Sequence, residues 1–326
     1  MRSARSGPRR ASTRRAWLSG MAASAIFGPT ALAAPPKLSA EDAEERRKVE
    51  ARAEEAGLGP FRVSRTTHYL ALGDAPAAFG EKALAICEGL ARDYLDHFRT
   101  RKFAVEAPKG RLTVILLGSA KSFATFLGRP EGTAVGGQYD LDTNRLVIFD
   151  NRDNNRADVA RAESANLVAL AHEATHQLTY NTGLLRREGD VPLCIAEGLA
   201  MYAETRKPTG RSAPGQVNVE RIKALAIARG QGARWIPLPE LLNGDGILGG
   251  DDGEPSQQAA YAQSWLLVYD LMKAAGRLDG FRAYLTAIGS RKDDAHRLED
   301  AKEHLGDLEA LDAALRKHAD RLVGRG

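Results

Sequence analysis

Cysteine is nearly absent from this chain of 326 residues; only Cys87 and Cys194 occur. Two thiols cannot build a disulfide framework or a cysteine-based zinc site. They allow one bridge in an oxidising compartment, or two separate buried thiols, the better fit for Cys87 inside the helical pattern KALAICEGLARDYLDHF. Long apolar runs are missing too. Beyond residue 33 no stretch approaches the ~20 residues that span a bilayer, so no stable membrane insertion is expected of the mature chain. A basic excess is also missing where it would matter. The net charge is +4, but Arg2, Arg5, Arg9, Arg10, Arg14 and Arg15 lie in the first 33 residues, where there is no acid. Without them 40 basic residues face 42 acidic ones, a net −2, and a nucleic-acid footprint has no support. No internal repeat occurs. The acidic loop at 250–254 lacks the spaced ligands of a calcium-binding loop and reads as a solvated turn.

What the first 33 residues do contain is a basic start, the modestly apolar run AWLSGMAASAIFGPTALA, and small residues at Ala31 and Ala33 placed for cleavage before Ala34. That order is the order of an export signal. TRRAWLSG at 13–20, with Arg14 and Arg15 paired ahead of Trp17 and Leu18, resembles the twin-arginine signal of proteins exported already folded. The mature protein is therefore expected in the periplasm or outside the cell.

With 43% hydrophobic and 27% charged residues the remainder is globular. Residues 34–58 read as a charged helical lead-in on the surface, with Ser39 as N-cap and Gly57, Gly59 and Pro60 as the stop. Residues 59–156 read as an α/β subdomain. FRVSRTTHYLALG is expected as one strand and 76–99 as an amphipathic helix with Ala83, Ile86, Leu90, Tyr94 and Phe98 on one face. RLTVILLG follows as a strand, SAKSFATFLG as a short helix, and GGQYDLDTNRLVIFD as a hairpin turning at Asp142, Thr143 and Asn144. From 157 to 326 the pattern is helical, interrupted by the Gly- and Pro-rich loops TRKPTGRSAPGQ and NGDGILGGDDGEPSQ.

The chemistry concentrates in LVALAHEATHQLTYNTG, residues 167–183. His172 and His176 stand four apart, so on a helix both point to one face and can share an ion, while Glu173 lies beside that face. A zinc hydrolase needs this set: two imidazole ligands, a third ligand, an open position for water, and a carboxylate to take the water's proton. With 7 histidines in the chain, a chance H-E-x-x-H is roughly a 1-in-100 event, so spacing alone does not establish a site. The neighbours Leu167, Leu170, Ala171 and Ala174 point to a buried helix, where unpartnered histidines would be costly. Glu197 is the first choice for third ligand, in the helix CIAEGLAMYAE and followed by Gly198, which lets another element approach closely. Glu204, two turns later, and Cys194, one turn earlier, are the alternatives.

HEATH followed by LCIAEGLAMY is similar to the gluzincin branch of zinc metallopeptidases, the thermolysin-like families. More closely it resembles the bacterial peptidase-MA-like families of unassigned function, in which an E-G-x-A-x-Y helix follows HExxH and a Y-x-Q-S helix comes later. Glu197, Gly198, Ala200 and Tyr202 match the first of these and Tyr261, Gln263 and Ser264 the second, within a likeness running from about residue 60 to 315. The resemblance implies an α+β, zincin-like fold: an N-terminal α/β half with a small mixed sheet, and a mainly helical C-terminal half around a metal cleft. It implies one Zn2+ per chain on His172, His176 and Glu197, Glu173 as general base, and the hairpin's edge strand binding an extended peptide. Thermolysin carries an aspartate four residues after its third ligand to orient a histidine ligand; that position here is Met201, so another carboxylate or a backbone carbonyl must serve. Tyr261 is the expected oxyanion donor, near the start of a helix facing the cleft, with a packing role as its alternative. His296, within RKDDAHRLED, is a remote second choice that reads as surface.

These readings converge on an exported zinc metallopeptidase acting on a peptide or protein substrate. A zinc-containing binding or scaffold protein of the cell envelope and a non-peptide amide hydrolase are the competing expectations.

Overall fold

The computed structural model describes residues 38–130, 136–152, 158–206, 211–250 and 255–324. The chain divides into two units, 1–38 and 39–326, and the architecture below is that of the second. The export signal read at 1–33 lies outside the described residues, as does most of the acidic loop at 250–254.

Helix α1, Ala40–Glu55, starts where Ser39 Oγ accepts the amide of Asp42 at 3.1 Å. It is a charged, largely exposed helix that is nonetheless anchored to the fold. Val49 and Ala53 are buried, Asp42 pairs with Arg111 and Glu45 with Arg145, both at 2.7 Å. Its apolar face is narrow, and ion pairs from two arginines flanking the strands complete the docking.

FRVSRTTHYLALG is a hairpin, not one strand: β1 (Arg62–Arg65) runs antiparallel to β2 (Tyr69–Gly73). The chain reverses between them because Thr66 N bonds to Tyr69 O at 2.9 Å, and Glu88 takes both the His68 amide (2.8 Å) and its ring Nδ1 (2.7 Å). Helix α2, Ala77–Thr100, carries Glu88 and buries Ala83, Leu90, Tyr94 and Phe98 as its periodicity predicts. Strand β3 (Leu112–Leu117), helix α3 (Ala120–Leu127), and strands β4 (Gly137–Asp140) and β5 (Arg145–Phe149) complete the N-terminal half.

The sheet order is β1-β2-β3-β5-β4, with β2, β3 and β5 parallel and both edge strands antiparallel. Strands β2 and β3 are buried throughout, as expected of a sheet covered on both faces. Val114, Leu116, Leu146 and Ile148 join the main core with α2, whereas Phe149 meets Phe123 of α3, ring centroids 5.2 Å apart.

The rest is helical: α4 (Val159–Asn181), α5 (Leu193–Ala203), α6 (Val219–Gly230), α7 (Leu238–Asn243), α8 (Pro255–Lys273), α9 (Leu278–Ile288), α10 (Arg297–Leu305) and α11 (Leu308–Val323). The chain is thus α+β with a small mixed sheet in its N-terminal half and a helical C-terminal half, as expected. Helix α4 is tied to the sheet by Gln177, whose Nε2 donates to Thr113 O and Asn144 O, both at 3.0 Å. Helix α5 packs on α8 through Gly198: a Cβ there would run into the Ser264 carbonyl oxygen and the Val268 side chain. Ahead of α5, Asp245 Oδ1 accepts the Leu193 amide (2.9 Å), and its Oδ2 is held by Arg297 (3.0 Å), which also grips Asp190 with two bonds of 2.7 Å. Among the described residues no helix is long and apolar enough to cross a membrane.

Candidate metal centre

Helices α4 and α5 bring His172, His176 and Glu197 together. Nε2 of His172 lies 3.2 Å from Nε2 of His176 and 3.1 Å from Glu197 Oε2, and His176 Nε2 lies 3.5 Å from Glu197 Oε1. Four ligands set tetrahedrally at zinc-like distances of about 2.0–2.1 Å stand roughly 3.3–3.4 Å apart. Three donors converging at those separations fit such an ion, and two imidazole nitrogens plus a carboxylate are the donor types zinc takes.

The third-ligand alternatives fall elsewhere. Glu204 accepts from the other ring nitrogen, His172 Nδ1, at 2.7 Å. It follows Glu197 by two helical turns and so shares its face, and its carboxylate meets the opposite side of the imidazole from Glu197. It supplies the orienting carboxylate that Met201 cannot. With both carboxylate oxygens accepting, Glu204 holds a proton on Nδ1, so that Nε2 is the nitrogen that would give its lone pair to an ion. Cys194 is fully buried, and burial pushes its thiol well above the ordinary range, which suits packing and not ligation. Cys87 is likewise free and buried, its thiol pushed up to about 12 by burial. The two are not bridged.

Electrostatics tighten the cluster. Burial opposes charge on Glu197, yet His176 and His172 outweigh it and hold the carboxyl far below its ordinary range. Burial likewise pulls His172 down, and the carboxylates of Glu197 and Glu204 reverse that to raise it well above its ordinary value. Without a cation, a proton shared at His172 balances the two acids; a divalent ion at the same point would do so more fully.

Glu173 points to the sheet edge, where Oε2 accepts the Tyr139 amide of β4 at 2.7 Å. The close approach of β4 to α4 depends on glycine: a Cβ at 136 would stand 2.9 Å from Ala169 Cβ, and one at 137 would stand 3.1 Å from Glu173 Cγ. The cluster opens into a cleft of about 600 Å3. Helix α4 contributes Ala165, Val168 and Ala169 to its walls, α6 contributes Arg221, and α8 contributes Gln258 and Tyr261. Tyr261 thus lines the cleft, while its motif companions are structural. Gln263 brackets the backbone of Ile236 through N–H (3.1 Å) and C=O (2.9 Å), and Ser264 provides the carbonyl against Gly198. Tyr202, the last residue of the E-G-x-A-x-Y match, turns to α2 and meets His97 Nε2 at 2.8 Å. His296 is on a surface 3-10 turn beside Glu299. A second acidic group, Asp300, Glu303 and His304, already has a cation, because Arg291 takes both Asp300 oxygens at 2.9 and 2.6 Å.

Sequence reasoning missed Asn218 and Arg221, which reach Glu204 from α6. The signal available was local: Asn218 stands as an N-cap directly before VERIKALAIARG.

Fold and site together define an α+β protein with a two-histidine, one-glutamate cluster in an open cleft. Residues 166–293, less than half of the chain, match a family described as a protein of unknown function (DUF1570), and every residue of the cluster lies inside that match. No curated protein matches the chain.

Proposed function

We propose that the chain is a zinc-dependent hydrolase, most specifically a peptidase, exported by the leader read at 1–33. The observation that carries this is the convergence of three metal-type donors at tetrahedral spacing in an open cleft, with the Glu173 carboxylate fixed beside them on an edge strand. His172, His176 and Glu197 would hold the ion. When bound, zinc supplies Lewis acidity that polarises a carbonyl and makes water a nucleophile near neutral pH. Glu173 accepts the proton of that water and passes it to the leaving amine. Tyr261 donates its hydroxyl to the oxyanion that develops on the carbonyl. Strand β4, an edge strand of the sheet, would take an extended peptide beside it, with Glu173 yielding the Tyr139 N–H that it accepts in the structure.

Three protein ligands and an open cleft favour chemistry over a structural clip, since closed structural zinc sites carry four protein ligands. Elemental analysis of the mature protein, followed by cleavage profiling on a diverse peptide mixture with a chelator control, tests the reading. The expected result is one zinc per chain and cleavage that chelator abolishes and zinc restores. Zinc-loaded protein that cleaves nothing would favour the envelope binding or scaffold reading, and cleavage confined to non-peptide amides would move the substrate class.

A further inference from the structure

The buried carboxylate of Glu204 is shared between two helices. Its Oε2 takes His172 Nδ1 at 2.7 Å, and its Oε1 takes Asn218 Nδ2 at 2.7 Å together with Arg221 Nη2 and Nε at 3.3 and 3.4 Å. Asn218 is itself buried and bonded through both ends of its amide. Oδ1 caps α6 by accepting the Arg221 amide at 3.3 Å, which sets Nδ2 toward Glu204 and toward Met201 O at 3.2 Å. A carboxylate with only one oxygen engaged is free to rotate about its last bond. With Oε1 gripped by an amide and a guanidinium, Oε2 has one direction left, the one that meets the imidazole. The positive end of the α6 dipole adds to the hold on the anion.

We propose that Asn218 and Arg221, the first turn of α6, are positioning residues for the metal: by fixing Glu204 they fix the ring and tautomer of His172, so that Nε2 faces Glu197 and His176 before any ion arrives. This rests on the zinc reading above. It makes α6, which contributes no ligand, a determinant of metal affinity, and it adds a layer behind the carboxylate that contacts the histidine directly. Outer partners of this kind typically change metal affinity by about 10–100-fold.

The test uses substitutions that keep the helix cap. Serine and aspartate both cap as asparagine does. Asn218→Ser removes the donor to Glu204, while Asn218→Asp sets a carboxylate against a carboxylate. Zinc dissociation constants, measured by competition with a chromophoric chelator, should rise a few-fold for Asn218→Ser and about 10–100-fold for Asn218→Asp. The decisive comparison is a cycle with Glu204→Gln. In that background the introduced carboxylate no longer faces an anion, so Asn218→Asp should weaken zinc by less than about threefold more. Should Asn218→Asp fail to fold, Arg221→Met carries the same prediction of weakened zinc. Wild-type affinity in both Asn218→Asp and Arg221→Met overturns the proposal and leaves the zinc reading standing. An equal loss from Asn218→Asp with and without Glu204→Gln also overturns it, because the effect would then be on α6 alone. A wild-type protein that binds no zinc takes down the zinc reading itself.

Discussion

Glu173 and Tyr139 are joined across the edge of the sheet: the side-chain Oε2 of the helix residue accepts the backbone amide of the strand residue at 2.7 Å. The bond commits one carboxylate oxygen to β4 while the residue lines the cleft beside the donor cluster. Glu173→Gln retains an acceptor for the Tyr139 amide and the helical preference of the site. The variant should fold, keep one zinc, and lose activity by at least about 10²-fold, the usual contribution of a general base. Metal content and turnover measured on one preparation separate this from a loss of ligand.

Glu197 and Glu204 should respond differently to substitution, although both are acids held against His172. Glu197→Ala removes one of three donors and should abolish stoichiometric zinc after gel filtration. Glu204→Gln removes an orienting charge and should weaken zinc by about 10–100-fold without abolishing it. Equal loss in both variants would make Glu204 a ligand.

Tyr261→Phe should leave zinc content unchanged and reduce turnover by roughly 10²-fold as an oxyanion donor is lost. A lowered melting temperature with normal turnover would assign the ring to packing.

Gly198→Ala should destabilise the fold by about 1–3 kcal/mol, because the added methyl has to displace the backbone of α8 at Ser264. Urea unfolding followed by circular dichroism measures the loss. Zinc affinity should fall with it, since Glu197 is the preceding residue.

His97 supplies a pH dependence independent of the metal. Burial, then Arg101 and Lys273, depress its pKa from 6.5 to about 3. It accepts from Arg101 at Nδ1 (3.2 Å) and donates from Nε2 to Tyr202 (2.8 Å), so the fold holds it neutral. The unfolded chain binds this proton below about pH 6.5 and the folded chain only near pH 3, so the stability it contributes is complete above 6.5 and is lost as pH falls through that window. At pH 5 the loss reaches at most about 2 kcal/mol. His97→Gln should show a smaller difference in urea midpoint between pH 7 and pH 5 than the wild type.

The periodicity of residues 76–99 was enough to place α2 and its buried face, because the face is a local repeat of one helical step, and four of its five predicted residues are buried. The i, i+4 histidines were legible for the same reason. The break at Thr66–His68 was not, since the residue that stabilises it, Glu88, is 20 positions away from His68. Glu204 shows the limit most clearly. Spacing placed it on the correct face of α5, but which nitrogen of His172 it meets depends on side-chain reach and on Asn218 and Arg221, and neither is encoded in a periodicity. Gly198 was legible as a point of close approach, although not the identity of the approaching helix.

The clamp on Asp245 bears on how the protein is made. Arg297 follows His172 by 125 residues, yet it holds the acid that caps the helix carrying Glu197. Domains emerge from the ribosome N-terminal end first, at roughly 5–20 residues per second. The two histidines are therefore synthesised several seconds before the arginine that seats their carboxylate partner. A nascent chain stalled ahead of residue 297 carries both imidazoles and Glu197 but not the clamp, so the start of the helix that carries Glu197 gains this anchor only after residue 297 has been made.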